Sequence, residues 1–180
     1  MNSTHRGSVI LAIDPGTRLM GVAVLDGRRL VYHGVKTLHA VGSPKWRLEE
    51  ARRVILRLIR NFRPHILAVE TAFFAQDRNA AFLNVLIEEI QSLARERRIE
   101  VRSLAPSTVR KRLCGNGRAT KREVADVVAA WHPELKVYLT KDQWWKERYY
   151  GNMFDAVAVG LACQRSLSAA SRTPLEVSAG

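Results

Sequence analysis

Apolar residues near the start of the chain form short stretches that predict three β-strands. The continuous run from Ser8 to Ile13 predicts a buried strand that ends at Asp14, and the run from Gly21 to Leu25 predicts a second strand. Asp26-Gly27 is typical of a hairpin turn, and a third strand follows from about Arg29 to Gly34. The chain therefore opens with an antiparallel meander.

Beyond the meander, apolar residues recur every three or four positions, which indicates amphipathic helices. Two such helices are predicted, the first with Leu48, Ala51, Ile55, Leu58 and Phe62 on its apolar face and the second with Leu83, Leu86, Ile90 and Leu93. A short strand from Ile66 to Val69 separates them and stops at Glu70. A fifth strand from Ile99 to Leu104 follows the second helix, and Pro106 then breaks the pattern.

The last part of the chain predicts two more helices. The first begins at Thr120, because Thr120 and Glu123 have the spacing of a capping box. The second runs from about Asn152 to beyond Cys163. We interpret the segment from Trp144 to Tyr150 as aromatic side chains packed under a loop, with a DNA wedge or a dimer surface as the alternatives. This order of elements predicts an α/β protein whose mixed five-stranded sheet is covered by helices on both faces.

The length and composition of the chain predict one soluble domain. It has 180 residues, of which 47% are hydrophobic and 26% charged, so it can bury a core of its own. We assign residues 8–166 to the domain, 1–7 to a disordered leader and 167–180 to a flexible tail. The sequence has no membrane-spanning apolar run, no signal-peptide pattern and no cysteine motif, which together predict a cytoplasmic protein.

The formal net charge of +12 narrows the class of partner. Such an excess attracts polyanions, of which nucleic acid is the commonest, although a merely solubilising basic surface is equally consistent with the charge alone. Six basic residues cluster around the loop Gly115-Asn116-Gly117, namely Arg110, Lys111, Arg112, Arg118, Lys121 and Arg122. The glycines and the helix start that follows suit a bound phosphate, and a solvated loop is the alternative.

Three carboxylates lie where they could carry chemistry. Asp14 and Glu70 each end a predicted buried strand, and Asp155 lies within an otherwise apolar helical pattern. Each has a structural alternative, since Asp14 can cap its Pro-Gly turn, Glu70 can be a solvated edge residue, and Asn152 with Asp155 can begin a helix. If the acids converge, their oxygens suit magnesium or manganese, and two such ions ~4 Å apart would activate a water in phosphodiester hydrolysis.

The acids belong to four sequence blocks, which are Ala12–Arg18 continuing through Gly21–Val24, Ala68–Phe74, Pro106–Lys111 continuing through Gly115–Lys121, and Asp155–Ala162. In this order, the blocks resemble the motifs of the Holliday junction resolvases of the RuvC type. The ordered set spans most of the predicted domain and is more specific than its first block alone. The resemblance implies an RNase H-like fold and a crossover junction endodeoxyribonuclease that acts in DNA recombination and repair.

The resemblance also implies roles for individual residues. Asp14, Glu70 and Asp155 match the family's catalytic metal ligands, which hold two Mg²⁺ ions, with Mn²⁺ as a substitute. The family's fourth ligand, an Asp or His, is here Asn152, whose carbonyl oxygen can coordinate a metal but brings no charge, so a lower metal affinity is expected. Phe73 matches the aromatic residue that stacks on an unpaired base near the junction centre.

The partners that the resemblance implies are all connected with DNA. The basic residues expected to contact its backbone are Arg110, Lys111, Arg118, Lys121 and Arg122. The substrate would be a four-way DNA junction, bound by a homodimer whose two-fold symmetry places two active sites on opposite strands. A branch-migration helicase complex is a further expected partner.

Three other functions are compatible with parts of the sequence. An actin-like kinase shares the Asp-x-Gly-Thr turn, but that fold needs two domains and a second glycine-rich phosphate loop, for which this chain is too short. An RNase H-like nuclease that acts on RNA is the second alternative, because these residues do not distinguish an RNA substrate from a DNA substrate. A junction-binding protein with weak or lost cleavage is supported only by Asn152.

Overall fold

The computed structural model describes residues 8–39, 43–71, 78–139 and 144–170. Within these ranges the strands are β1 (Val9–Asp14), β2 (Leu19–Asp26), β3 (Arg29–Thr37), β4 (Ile66–Glu70) and β5 (Glu100–Leu104). The helices are α1 (Pro44–Phe62), α2 (Arg78–Arg95), α3 (Pro106–Cys114), α4 (Lys121–Trp131) and α5 (Trp144–Ala170), with a 3₁₀ helix at Pro133–Tyr138.

The five strands form one mixed sheet in the order β3-β2-β1-β4-β5. The first three strands are antiparallel neighbours, whereas β1, β4 and β5 run parallel. This arrangement confirms the predicted meander followed by two further strands. Because β1 and β4 are parallel neighbours, their carboxyl ends lie side by side at one edge of the sheet.

Side chains of the central strands alternate between two separate cores. On β1, Ile10 and Ala12 pack with residues of α3, α4 and α5, whereas Leu11 and Ile13 pack with residues of α1 and α2. Both faces of the sheet are therefore covered by helices, as the order of elements predicts. Among the described residues, no helix combines the length and the apolarity needed to cross a membrane.

Helix α5 lies unusually close to the sheet because small residues line the contact. A Cβ atom on Gly21 of β2 would lie 1.8 Å from the backbone oxygen of Asn152, and one on Gly160 would lie 3.2 Å from Cβ of Ala12. At Gly21 a larger residue is not possible without movement of the helix, whereas at Gly160 a Cβ would crowd Ala12 and the end of the Leu25 side chain. This contact sets the height at which α5 crosses β1 and β2.

The sequence-based boundaries of the helices need two corrections. Helix α3 was not predicted, because Pro106 interrupts the apolar pattern, yet a proline is well tolerated in the first helical turn, where its missing N–H costs no hydrogen bond. The last helix begins at Trp144 rather than near Asn152, so the segment Trp144–Tyr150 is helical and not a loop. The apolar residues of this helix become regular only from Met153 onwards, where the helix enters the core.

The start of α4 agrees with its prediction. The Thr120 hydroxyl accepts a hydrogen bond from the backbone N–H of Glu123, and the Glu123 carboxylate accepts one from the Thr120 backbone N–H in return. This capping box satisfies two backbone donors that the first turn leaves free. It therefore holds Lys121, the first residue of the helix, in a defined place.

Candidate functional site

Asp14 and Glu70 lie next to each other at the carboxyl ends of two parallel strands. Ile13 of β1 is paired with Val69 of β4, and each acid is the following residue on its strand. Side chains alternate along a strand, so both acids point to the face that carries Ala12 and Ala68, which is the face covered by α5. The solvated-edge interpretation of Glu70 therefore does not hold.

Asp155 faces these two acids from the helix above them. It lies about three turns inside α5 and not in its first turn, so the helix-start interpretation of Asn152 and Asp155 is wrong. Its side chain is 17% exposed, among the buried residues Met153, Phe154 and Ala156. Three carboxylates from three different elements thus converge on one place, as the sequence suggested.

The three acids line a cavity of about 320 Å³. Asn152 also lines this cavity, as do Arg110 from α3 and Lys121 from α4. The structure therefore brings together six of the residues that the sequence singles out. Phe73, which the sequence assigns to base stacking, lies outside the described residues.

Burial and mutual repulsion oppose the ionisation of the acids on the strands. Burial, followed by the charges of Asp155 and Glu70, raises the pKa of Asp14 well above its usual range. Burial and the charge of Asp155 raise the pKa of Glu70 to about 7. The cavity is consequently a place where positive charge is strongly favoured.

Lys121 supplies part of that positive charge. Its Nζ lies 2.8 Å from Oδ2 of Asp155, and its side chain is 69% exposed. Partial burial lowers the pKa of Lys121, but the charge and hydrogen bond of Asp155, together with the charges of Asp14 and Glu70, outweigh burial and raise this pKa overall. As positioned, no group of three or more described His, Cys, Asp or Glu side chains could jointly hold a metal ion.

Asn152 makes a contact that an aspartate could not make. Its Nδ2 donates a hydrogen bond of 2.8 Å to the backbone oxygen of Leu19, at the start of β2. A carboxylate has no hydrogen to donate there and would repel the carbonyl oxygen. Because this bond uses the amide nitrogen, the amide oxygen stays available as an acceptor or as a ligand of a cation.

The other predicted DNA-binding residues lie on helices α3 and α4 and on the loop between them. Lys111 lies on α3 and Arg122 on α4, where Arg122 pairs with Asp126 at 3.2 Å. The backbone N–H of Arg118 donates to the side chain of Asn116 in the loop between these helices. These three residues do not line the cavity, and we refer to them together as the basic rim.

The raised pKa of Glu70 predicts a pH-dependent stability of the metal-free protein. Since this pKa rises from 4.5 to about 7 on folding, the bound proton stabilises the folded state fully below pH 4.5, and the stabilisation is lost as the pH rises through 7. The variant Glu70→Gln keeps an uncharged side chain at every pH. We therefore expect its Tm to match that of the wild type near pH 4, to exceed it by an amount that grows from about pH 4.5 to 7, and to keep a constant difference above that pH.

Calorimetry in the presence of a chelator measures this difference. Titrating groups far from the cavity act equally in both proteins, so the comparison reports on position 70 together with Asp14 and Lys121, whose pKa values depend on the charge of Glu70. A Tm difference that stays constant from about pH 4 to 7 would contradict the raised pKa.

Comparison with known proteins identifies the family. A family model described as crossover junction endodeoxyribonuclease RuvC matches residues 10–136, which is well over half of the chain. The RuvC protein of Rubrobacter xylanophilus is 38% identical over 136 residues, covering 72% of this chain and 75% of that one. The RuvC protein of Heliobacterium modesticaldum is 31% identical over 166 residues, covering 89% and 96%.

Solved structures agree with the sequence comparisons. The structure of Thermus thermophilus RuvC in complex with a Holliday junction substrate has a TM-score of 0.73 and 25% identity, covering 93% of this chain and 99% of that one. The yeast mitochondrial Holliday junction resolvase, with a TM-score of 0.68 and 15% identity over 91% of this chain and 80% of that one, shares the fold. The RNase H-like fold is thereby confirmed, and the chain belongs to the crossover junction endodeoxyribonuclease RuvC family.

Proposed function

We propose that this crossover junction endodeoxyribonuclease cuts four-way DNA junctions with the cavity formed by Asp14, Glu70, Asn152 and Asp155. The observation that carries the proposal is the convergence of three carboxylates from β1, β4 and α5 beneath the cations Arg110 and Lys121. Acids alone would repel a phosphodiester, and cations alone would bind one without cutting it. Both are needed for metal-dependent hydrolysis of a nucleic acid backbone.

The residues of the cavity fit hard divalent cations. Nuclease members of the family are metal-dependent, and the described lining here offers carboxylate and amide oxygens but neither thiolate nor imidazole. A cation would also relieve the unfavourable charge that raises the pKa of Asp14 and Glu70. We assign two Mg²⁺ ions to Asp14, Glu70, Asp155 and Asn152, with Mn²⁺ as a substitute. Mg²⁺ usually takes one or two carboxylates, completing its shell with water and phosphate, so no three-residue cluster is required.

Once bound, the ions supply an activated water and neutralise charge at the leaving oxygen. The chain's own groups bind and orient the DNA. Arg110 and Lys121 place two cations at the edge of the cavity, where they hold the phosphate to be cut. The basic rim of Lys111, Arg118 and Arg122 extends this positive field along α3 and α4, and Phe73 stacks on an unpaired base.

The symmetry of the proposed substrate indicates how many copies of the chain act together. A four-way junction has two symmetry-related strands to cut, and a two-fold dimer places one cavity at each. We therefore propose a cytoplasmic homodimer that binds junction DNA and works beside a branch-migration helicase complex. The net charge of +12 supports a polyanionic substrate.

The position of Lys121 also predicts how strongly the protein binds a metal ion in the absence of DNA. Its ammonium group lies 2.8 Å from an oxygen of Asp155 and therefore competes with a metal ion for that carboxylate. We expect Lys121→Met to bind Mn²⁺ about tenfold more tightly without DNA, since solvent screening of an exposed side chain limits the effect to ~1.4 kcal/mol. The same variant should cut junctions more slowly, because a phosphate contact is lost.

Isothermal titration with Mn²⁺ measures the first effect. Lys111→Met removes an equal charge from the basic rim and should leave metal affinity unchanged. Weaker Mn²⁺ binding by Lys121→Met would show that the ammonium group does not compete with the ion.

A cleavage assay on a labelled synthetic four-way junction tests the function. Linear duplex and RNA–DNA hybrid serve as controls, each with Mg²⁺, with Mn²⁺ or with a chelator. We expect paired nicks confined to the junction, dependent on metal, with 5′-phosphate and 3′-hydroxyl ends that a DNA ligase can close. Cutting of the hybrid would instead identify a nuclease acting on RNA. Tight junction binding without nicks in either metal would identify a binding protein on a nuclease fold.

A further inference from the structure

The loop between β1 and β2 is held in place by three unrelated parts of the chain. Arg47 of α1 donates a hydrogen bond of 3.2 Å to the backbone oxygen of Thr17. The backbone N–H of Leu38 donates one of 2.7 Å to the backbone oxygen of Arg18. Asn152 of α5 donates to the oxygen of Leu19. Three consecutive carbonyl groups are therefore anchored, so the loop presents its side chains from a fixed backbone.

A second cavity, of about 570 Å³, opens beside this loop. It is lined by Thr17, Arg18, Leu19, Thr37 and Leu38, together with Gly16 and Asn152. Gly16 and Asn152 also line the cavity of the three carboxylates. The two cavities thus adjoin along a shared wall, and Arg110 and Lys121 line only the first of them.

The chemistry of the second cavity is that of a nucleotide site. Leu19 and Leu38 give the cavity a largely apolar wall that suits a deoxyribose or the face of a base. Arg18 is exposed, and among the described residues its guanidinium has no hydrogen-bonding or ion-pair partner. A guanidinium on a rigid loop beside an apolar wall suits a phosphate attached to a sugar.

We propose that this second cavity binds the nucleotide next to the scissile phosphate, with Arg18 on the flanking phosphate. The proposal rests on the proposed function and adds a second anchor for the cut strand, in a cavity that Arg110 and Lys121 do not line. A strand held at both ends is fixed in line with the carboxylates, whereas a strand held at one end can pivot. Arg18 is therefore a positioning residue of the DNA-cutting reaction.

The variants Arg18→Ala and Arg28→Ala form a matched pair for the test. Both remove one exposed arginine, but Arg28 lies in the hairpin at the opposite end of β2, some 25 Å away at about 3.3 Å per residue. Junction binding is measured over a range of salt concentrations with the full-length protein in Ca²⁺, used as the probe ion. We expect Arg18→Ala to weaken binding. The slope of the logarithm of the binding constant against the logarithm of the salt concentration should become shallower by about 0.9 for each cavity that contacts the DNA. Arg28→Ala should match the wild type in both measurements, and neither variant should change Tm.

Junctions with one methylphosphonate, placed in turn at each phosphate beside the cut, locate the contact. At one position the uncharged group should weaken wild-type binding and leave Arg18→Ala unaffected, since the partner of that phosphate is already absent. The proposal is overturned if Arg18→Ala behaves like Arg28→Ala, or if every methylphosphonate weakens both proteins equally. A wild-type protein that does not prefer junctions to duplex overturns the proposed function itself, which is a distinguishable result.

Discussion

Asp14→Asn is expected to abolish junction cutting and to leave junction binding within about twofold of the wild type. Asp14 lies next to Glu70 of the neighbouring strand and lines the same cavity as Asp155 of α5. Its loss removes a charged ligand from the centre of the site, and metal stabilisation is worth several kcal/mol. We expect the rate of cutting to fall about a thousandfold or more, at 1.36 kcal/mol for each factor of ten.

Junction binding should survive because cations outside the carboxylate cluster dominate it. Arg110, Lys121 and the basic rim are untouched by the substitution, and phosphate contacts account for most of the affinity of such complexes. The variant should also melt at a higher temperature than the wild type in chelator at about pH 8, since burial and repulsion oppose an ionised acid at position 14. Loss of cutting together with a raised Tm separates a catalytic defect from a folding defect.

Asp26→Asn is the matched control. Asp26 is exposed at the other end of β2 and is paired with Val9, at the far end of β1 from Asp14. Single-turnover cleavage and binding in Ca²⁺ compare the two variants. Asp26→Asn should resemble the wild type throughout, and cutting that persists in Asp14→Asn would show that the assigned centre is wrong.

Gly21→Ala is expected to be the most damaging conservative substitution in the core of the fold. Its Cβ would lie 1.8 Å from the backbone oxygen of Asn152 and 2.5 Å from the carbon of the same carbonyl group. Neither atom belongs to a flexible side chain, so α5 as a whole must move away from β2. We expect a loss of about 3 kcal/mol or more in the free energy of unfolding, at the upper end of the cost of overpacking.

The displacement should also impair cutting in the molecules that remain folded. Asn152 and Asp155 move with α5, whereas Asp14 and Glu70 stay on the sheet, and a misplacement of ~1 Å can cost about a hundredfold in rate. Denaturant unfolding measures the first effect, and the cleavage rate at a temperature well below Tm measures the second.

Gly151→Ala provides a sensitive control within the same helix. A Cβ at Gly151 would meet no atom within 4 Å, although this residue is the neighbour of Asn152. The change should stabilise the protein by up to about 1 kcal/mol, the helical advantage of alanine over glycine, and leave cutting intact. Equal effects of Gly21→Ala and Gly151→Ala would contradict the close contact between α5 and β2.

Elements with strong local signals were predictable from the sequence. The hairpin at Asp26-Gly27, the buried strands and the capping box at Thr120 depend on interactions between near neighbours, and the structure contains all of them. The start of α5 and the whole of α3 were missed, because α3 follows a proline and buries only Val109 and Leu113, and the first turns of α5 show no clear apolar period. The spacing of apolar residues predicts a helix or strand only where that element buries one face along its whole length.

The sequence by itself determined the kinds of chemistry available to this protein: three acids on apolar elements, a basic cluster and an excess of positive charge. Only the tertiary structure decided which groups meet. The parallel pairing of β1 with β4 places Asp14 beside Glu70, and Gly21 lets α5 bring Asp155 above them. The structure also gave Asn152 its bond to Leu19 and set Lys121 against Asp155. These are contacts between residues far apart in the chain, which depend on the register of strands and the depth of helix packing, and neither quantity is encoded in any local stretch of sequence.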